Sequence, residues 1–356
     1  MIYVEIMVVT FLLTLLVDSS NKSTEKGIIC RNVLWYISCF PIVFLSMIRF
    51  NVGTDYLLYV RYFNAVAIGR NSIIGSTVEI DKGLFYFNKL LQLISDSSLS
   101  FFVASSIIIY FSIFIYIRRT SIKIALPTLF FMISGLYFNS LNVIRQFLAF
   151  SVILISWNAL QKRKDLLYIL GCLIASVFHL SVLIFIPVYI VRDININRRR
   201  FVRGLFYIII CMPLISLVAQ KIIRHTRYRY YLNSILYKVD IDITGIIYAI
   251  LISTLVIILF DRVIETKNGK LYCWMLLAYD ATMICSLFIP LTNRMSLYFK
   301  FFVFVNLLPM TLDKIKNSRK KMIITCVVVL FLFVTAVYLY GYRGLSNVIP
   351  YTTIWS

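Results

Sequence analysis

The chain has 356 residues, of which 61% are hydrophobic and 14% charged, with a formal net charge of +21. A soluble protein of this length has too little interior to bury so many apolar side chains. The composition therefore excludes a soluble enzyme and predicts an integral membrane protein. We expect its basic residues to determine the orientation of the protein in the membrane and to contact lipid, and we expect no nucleic acid partner.

The apolar stretches predict an all-α fold: a polytopic transmembrane bundle of about 10 to 12 membrane segments, forming one domain over residues 1–356. Lipid offers no partners to exposed backbone amides, so each stretch crosses as a helix. The predicted spans lie near residues 2–17, 32–48, 99–117, 124–138, 141–160, 204–218, 243–260, 271–290, 294–312 and 322–340.

The distribution of lysine and arginine predicts the orientation, because basic loops mark the cytoplasmic side. Six loops at alternate ends of the spans contain 22 of the 36 basic residues. Segment 166–190 fits this alternation only as a hairpin or pair of half-spans with its apex near His179, since a single crossing would put the RRR sequence outside. We favour the hairpin, with outer loops near 49–98 and 219–242.

The motif RFNVGTDY directly follows the span that ends at residue 48. It places Arg49 at a predicted membrane exit, where a guanidinium can bind phosphate bidentately, and Gly53 allows the backbone to fold back. Asp55 and Tyr56 complete the motif. Glu79, further along the same outer loop, is a second carboxylate, and Asp81 precedes the amphipathic stretch GLFYFNKLL.

The next polar group inside an apolar span is Asn142, Arg145 and Gln146, which we predict to share one face of the helix over residues 141–160. An arginine within the membrane is costly, and it either extends toward the headgroups or lines a polar cavity. We favour the cavity. His179, in FHLS, has two interpretations: a hydrogen-bonded packing residue, slightly favoured, or a proton shuttle.

Five basic residues occupy outer loop 219–242 and either contact lipid headgroups or capture phosphate. Arg224 and Arg227 are three residues apart, so a short helix would present both on one face. Asp280 lies within a span, where it is protonated, paired with a cation or functional. Arg294 and Tyr298 are one turn apart, and we predict that they face an outer vestibule shared with Arg145.

Five blocks, in their order and spacing, carry a family resemblance. They are RFNVGTDYLLY at 49–59, LNVIRQFLAF at 141–150, FHLSVLIFIP at 178–187, NRMSLYF at 293–299 and N-x-x-P-Y at 347–351. Together they resemble the EpsG family of Wzy-like polysaccharide polymerases over nearly the full chain.

The resemblance implies a multi-pass glycosyltransferase of the bacterial cytoplasmic (inner) membrane, with a GT-C-like architecture. Such an enzyme joins oligosaccharide repeat units into an exopolysaccharide, capsule or O-antigen on the outer side of the membrane. It moves a glycan from one polyprenyl (undecaprenyl) pyrophosphate carrier to another, and no metal, nucleotide or other cofactor is expected. The implied partners are the lipid-linked oligosaccharide, membrane lipids, a repeat-unit flippase and a chain-length regulator.

Site roles follow from combining this resemblance with the charges. The predicted pyrophosphate ligands are Arg49, Arg145 and Arg294, with Arg224 and Arg227 added on the physical argument alone. The predicted catalytic carboxylates and proton-transfer groups are Asp55, Glu79, His179 and Asp280. The predicted supporting residues are Gly53, Tyr56, Asn142, Gln146 and Tyr298.

Two other functions fit parts of the pattern. A transporter or flippase of lipid-linked or anionic glycans would use the same basic cavity without forming a bond. Such proteins usually contain more spans and internal repeats than this chain. A membrane acyltransferase would require its basic and histidine residues on the inner side, which the outer cluster argues against.

Overall fold

The computed structural model describes residues 2–20, 25–73, 79–225, 242–289 and 292–355. Helices are its regular secondary structure, and pairing between extended segments in these ranges is limited to two isolated bridges. The all-α prediction is confirmed. The chain divides into two compact units, which we describe separately: unit 1 comprises Met1–Tyr189 with Leu332–Ser356, and unit 2 comprises Ile190–Phe331.

Unit 1 begins with two long apolar helices and also contains several short ones. Its helices are α1 (Ile2–Ser19), α2 (Glu25–Met47), α3 (Tyr56–Ala67), α4 (Lys82–Gln92), α5 (Leu99–Thr120), α6 (Ala125–Ile133), α7 (Leu136–Asn142), α8 (Ile144–Gln161) and α9 (Asp165–Ser176). A 3₁₀ helix, Leu180–Phe185, and the short α10, Val188–Val191, follow α9.

Unit 2 contains α11 (Arg198–Arg224), α12 (Ile243–Ile264), α13 (Gly269–Ser286), α14 (Thr292–Phe302), a π-helical turn (Val303–Leu307), α15 (Leu308–Asp313) and the first part of α16 (Ser318–Ala336). A π-helical segment, Val337–Tyr342, extends α16 within unit 1.

Seven helical segments of the described chain are long and apolar enough to cross a membrane. They are Ile2–Ser19, Glu25–Met47, Leu99–Thr120, Arg198–Arg224, Ile243–Ile264, Thr292–Asp313 and Ser318–Tyr342. The bent pair α7 and α8 would be an eighth. The protein is therefore a polytopic helical membrane protein, as its composition predicts.

The predicted helices 124–138 and 141–160 differ from the observed ones. Helix α6 has only 9 residues, and α7 and α8 meet at an angle of 118° at Val143. Gly135, with φ of +87°, separates α6 from α7. Two turns that break the helix thus replace the uninterrupted spans read from hydropathy.

Segment 166–190 reverses direction at His179. The 3₁₀ helix begins at the next residue after it. The Tyr168 hydroxyl of α9 donates to the Phe185 carbonyl at 3.0 Å, so the two arms pack side by side. The hairpin interpretation of this segment agrees with the structure.

The C-terminal segment, residues 346–354, returns to the end of α2. The Phe50 N–H donates to the Thr352 carbonyl and the Ile354 N–H donates to the Ile48 carbonyl, both at 3.0 Å. These two backbone bonds, on either side of Arg49, attach the start of the RFNVGTDY motif to the C-terminal segment.

Contacts within each unit bring together loops that the charge pattern assigns to the cytoplasm. In unit 1 the Asp18 carboxylate accepts the Ile124 N–H at 2.9 Å, joining the first two of these loops. In unit 2 Arg198 pairs with Asp261 at 2.7 Å, which joins two others. This grouping agrees with the predicted alternation, while the direction of insertion stays a prediction.

We expect Gly135→Ala to destabilise the protein by about 1 to 3 kcal/mol. Besides the positive φ, a Cβ at this position would lie 2.6 Å from the Tyr340 hydroxyl oxygen. Thermal unfolding in detergent measures the effect. Gly341→Ala is the control, because the nearest atom to its Cβ would be 3.9 Å away. Equal melting temperatures for the two variants would show that the fold does not require glycine at position 135.

Candidate functional site

The RFNVGTDY motif packs against the break between α7 and α8. Gly53 has φ of +104°, and a Cβ there would lie 3.3 Å from the Leu141 carbonyl oxygen. The side-chain oxygen of Asn142 accepts hydrogen bonds from the Thr54 hydroxyl at 2.9 Å and the Asp55 N–H at 2.8 Å. The structure thus joins two blocks that lie almost 90 residues apart in sequence.

Arg145, in the first turn of α8, forms an ion pair with Asp81, the residue before α4. Its Nη1 lies 2.8 Å from Oδ2 of Asp81, and the side chains are 25% and 36% exposed, respectively. The guanidinium lies over the Tyr62 ring at 5.7 Å, and the Arg145 N–H donates to the Tyr59 hydroxyl. Tyrosines of α3 therefore support an arginine that remains accessible to solvent.

The hairpin apex contacts the beginning of α4. The Gly83 N–H donates to the Val177 carbonyl at 2.9 Å, and a Cβ at Gly83 would lie 2.8 Å from that oxygen. His179 is half-buried and two residues from this contact. Asp81 is two residues from it on the other side, so the apex and the ion pair belong to one region of unit 1.

Arg49 lies in the interior of unit 1 with only 2% of its surface exposed. Its Nη1 donates to the Ser46 carbonyl at 2.8 Å, and the guanidinium lies 5.2 Å from the centre of the Phe102 ring. The Tyr56 ring stacks on Phe102 with 4.2 Å between centroids. A pyrophosphate has no access to Arg49 in this structure, so we assign Arg49 to supporting the motif.

The predicted common face of Asn142, Arg145 and Gln146 is wrong. The bend at Val143 places Asn142 on α7 and the other two on α8. Asn142 holds the motif, Arg145 contacts Asp81, and Gln146 is buried. The three residues remain close in the chain but serve different contacts.

The remaining outer-loop candidates lie elsewhere. Glu79 is exposed and forms an isolated backbone bridge with Ser72. Arg224 is exposed at the end of α11 in unit 2. Arg227 lies outside the described residues.

In unit 2, Asp280 of α13 is buried. One carboxylate oxygen accepts the Ser253 hydroxyl at 2.8 Å, and the other, Oδ1, has no hydrogen-bond partner among the described residues. The sequence leaves three alternatives open for Asp280: protonated, paired with a cation or functional. The hydrogen bond from the neutral Ser253 hydroxyl does not distinguish between them.

Arg294 and Tyr298 lie one turn apart on α14, as predicted. Arg294 is partly exposed and Tyr298 is buried. Lys300, two residues further, is buried with its ammonium 5.2 Å from the centre of the Tyr248 ring. The π-helical turn Val303–Leu307 begins three residues later, and such turns occur often at functional sites.

Sequence reasoning missed the partners of Arg145. Asp81 was noticeable only as an acidic residue before an amphipathic stretch, and Tyr59 and Tyr62 carried no signal beyond helical spacing in YLLYVRY.

Among the described residues, no group of three or more His, Cys, Asp or Glu side chains could hold a metal ion.

A family model of the EpsG family matches residues 32–353. The chain belongs to the EpsG family. No curated protein and no solved structure matches it. EpsG membership indicates an exopolysaccharide polymerase type of function, and the matched residues of this EpsG chain include the motif, the ion pair and the hairpin.

We expect Asn142→Ala to lower polymer yield about 10-fold. The substitution removes the acceptor of two hydrogen bonds that position the RFNVGTDY motif, each of which contributes about 1 kcal/mol. Gel analysis of extracted polymer measures the yield. Asn158→Ala, an exposed position near the opposite end of α8, is the control. A wild-type yield from the Asn142 variant would show that the motif keeps its position without this contact.

Proposed function

We propose that this protein polymerises lipid-linked oligosaccharide repeat units on the outer side of the bacterial cytoplasmic membrane. It transfers a growing glycan from one polyprenyl pyrophosphate, expected to be undecaprenyl pyrophosphate, to a repeat unit on a second carrier. Family membership supports the polymerase class. Family membership specifies neither the lipid carrier nor the direction of transfer, and we propose both.

The observation that carries the proposal is the partly exposed Arg145 at the start of α8. A helix N-terminus favours negative charge, since its backbone N–H groups point outward and the helix dipole is positive there. An arginine at the same place adds a planar donor that fits phosphate oxygens. The partly exposed Arg145 guanidinium, at the positive end of the helix dipole, is suited to bind the pyrophosphate of the donor.

The proposed chemistry requires stabilisation of a leaving group. As the bond between the anomeric carbon and the pyrophosphate breaks, negative charge grows on the departing oxygen. A fixed cation beside that oxygen lowers the barrier because it interacts more strongly with the transition state than with the bound substrate. Arg145 fills this role, and we keep Arg294 of unit 2 as a second proposed cation for a pyrophosphate.

The test is reconstitution of the purified protein in lipid nanodiscs with polyprenyl-pyrophosphate-linked repeat units alone. A ladder of longer glycans on a gel, formed without added nucleotide or metal, is the expected result. Unchanged repeat units in the presence of folded protein would overturn the proposal.

The same preparation separates polymerisation from transport. In liposomes, a flippase would move repeat units between leaflets without lengthening them, whereas a polymerase lengthens units supplied to one side. Movement without lengthening would replace the proposed function with the transporter alternative.

A further inference from the structure

The contact between Arg145 and Asp81 has the form of a replaceable ion pair. One guanidinium nitrogen contacts one carboxylate oxygen at 2.8 Å, and both side chains are partly exposed. Arginine binds carboxylate and phosphate most strongly through two parallel hydrogen bonds. A partly exposed pair also contributes little stability, because solvent screens it. A pyrophosphate, with more charge and more oxygens, can displace this carboxylate.

The two partners differ in how firmly they are held. Arg145 is fixed by the α8 backbone, by the Tyr59 hydroxyl that accepts its N–H, and by the Tyr62 ring. Asp81 occupies the N-cap position of α4, yet its side chain makes no capping hydrogen bond. Its carboxylate can therefore leave Arg145 without uncapping the helix.

The backbone next to Asp81 is held independently of the ion pair. The Gly83 N–H donates to the Val177 carbonyl of the hairpin apex. A carboxylate released from Arg145 thus stays on an anchored helix end beside the arginine. It would remain within reach of a substrate bound there.

We propose that the donor substrate opens this pair: its pyrophosphate takes Asp81's place on Arg145, and the released Asp81 carboxylate acts as the general base. This inference rests on the proposed function, and it assigns the base to a residue outside the four sequence candidates, Asp55, Glu79, His179 and Asp280.

The step balances without another reactant. The acceptor hydroxyl oxygen attacks the anomeric carbon of the donor glycan and forms the new glycosidic bond. The bond from that carbon to the pyrophosphate oxygen breaks, and its electron pair leaves with the polyprenyl pyrophosphate beside Arg145. The hydroxyl proton passes to Asp81, which later releases it to water.

Asp81 fits this role better than Glu79, the carboxylate two residues before it. Glu79 is exposed and precedes α4 by three residues, whereas Asp81 contacts the arginine that binds the leaving group. Base and leaving-group ligand thus begin in contact. In the proposed step, they separate when the donor pyrophosphate binds Arg145.

The experiment compares the wild-type protein with Asp81→Asn and Asp81→Glu, each full length in nanodiscs. Two quantities are measured: the affinity for undecaprenyl pyrophosphate without glycan, and kcat for ladder formation. We expect Asp81→Asn to bind the pyrophosphate lipid about 5- to 10-fold more tightly, because a competing carboxylate is gone, and to lose kcat about 100-fold. Asp81→Glu should recover part of kcat.

A matched control is Asp261→Asn, which removes another solvent-accessible aspartate paired with an arginine, Arg198, in unit 2. It should change neither quantity. Weaker or unchanged affinity in folded Asp81→Asn would overturn the displacement, and an unchanged kcat would overturn the base assignment. If the wild type makes no ladder, the proposed function fails, whereas tighter binding by Asp81→Asn would still support displacement at Arg145.

Discussion

Replacing Arg145 by lysine is expected to reduce ladder formation about 100-fold in protein that remains folded and inserted. Lysine keeps the positive charge but loses the planar fork that binds two phosphate oxygens and packs over the Tyr62 ring. The loss corresponds to about 2.7 kcal/mol of transition-state stabilisation. We expect it mainly in kcat, since the charge on the leaving oxygen grows during reaction.

Initial rates of ladder formation in nanodiscs measure this effect, with thermal unfolding as the check on folding. Arg192→Lys is the matched control. Arg192 also pairs with an aspartate, Asp193, and its side chain is 11% exposed, but it belongs to a loop predicted to be cytoplasmic. Polymer made at the wild-type rate by Arg145→Lys would remove Arg145 from the mechanism.

Deleting residues 350–356 is expected to reduce polymer formation at least about 100-fold. The deletion removes the backbone partners of Phe50 and Ile48 and the hydrogen bonds from Tyr351 to Leu45 and from Thr352 to Phe50. Each lost bond costs about 0.5 to 1.5 kcal/mol. A displacement of about 1 Å in a site can cost about 100-fold in rate, so loosening the motif should slow the reaction by at least about that factor.

Hydrogen exchange provides a readout of the deletion that is independent of activity. The amide of Phe50 should exchange faster once its acceptor on Thr352 is gone. Trp355→Ala is the control, because the Trp355 side chain is 72% exposed. A truncated protein with wild-type ladders and slow exchange at Phe50 would refute the positioning role of this segment.

The membrane class and most spans could be predicted from sequence because lipid imposes helices on apolar segments. The bend at Val143 could not. No proline or glycine lies there, and hydropathy averages over a break of one residue. The predicted face of Asn142, Arg145 and Gln146 failed for that reason, although residues at this break do form contacts of the candidate site.

The roles of Arg49 and Asp81 could not be predicted from sequence for a different reason. The local sequence alone places Arg49 at a membrane exit, yet in the folded protein its side chain is buried and its backbone bridges to Thr353. Asp81 meets Arg145 across 64 residues of sequence. Neither contact has a local spacing rule, because both depend on how separate segments pack.

The return of the C-terminal segment to the RFNVGTDY motif also sets an order of events during synthesis. Phe50 and its partner Thr352 are 302 positions apart. At about 5 to 20 residues per second, ribosomes need roughly 15 to 60 s to cover that distance. The motif is therefore made long before the segment with which it pairs. A nascent chain that stops short of residue 346 would lack the backbone partners of the motif, and the site would be completed only after residues 346–354 are made.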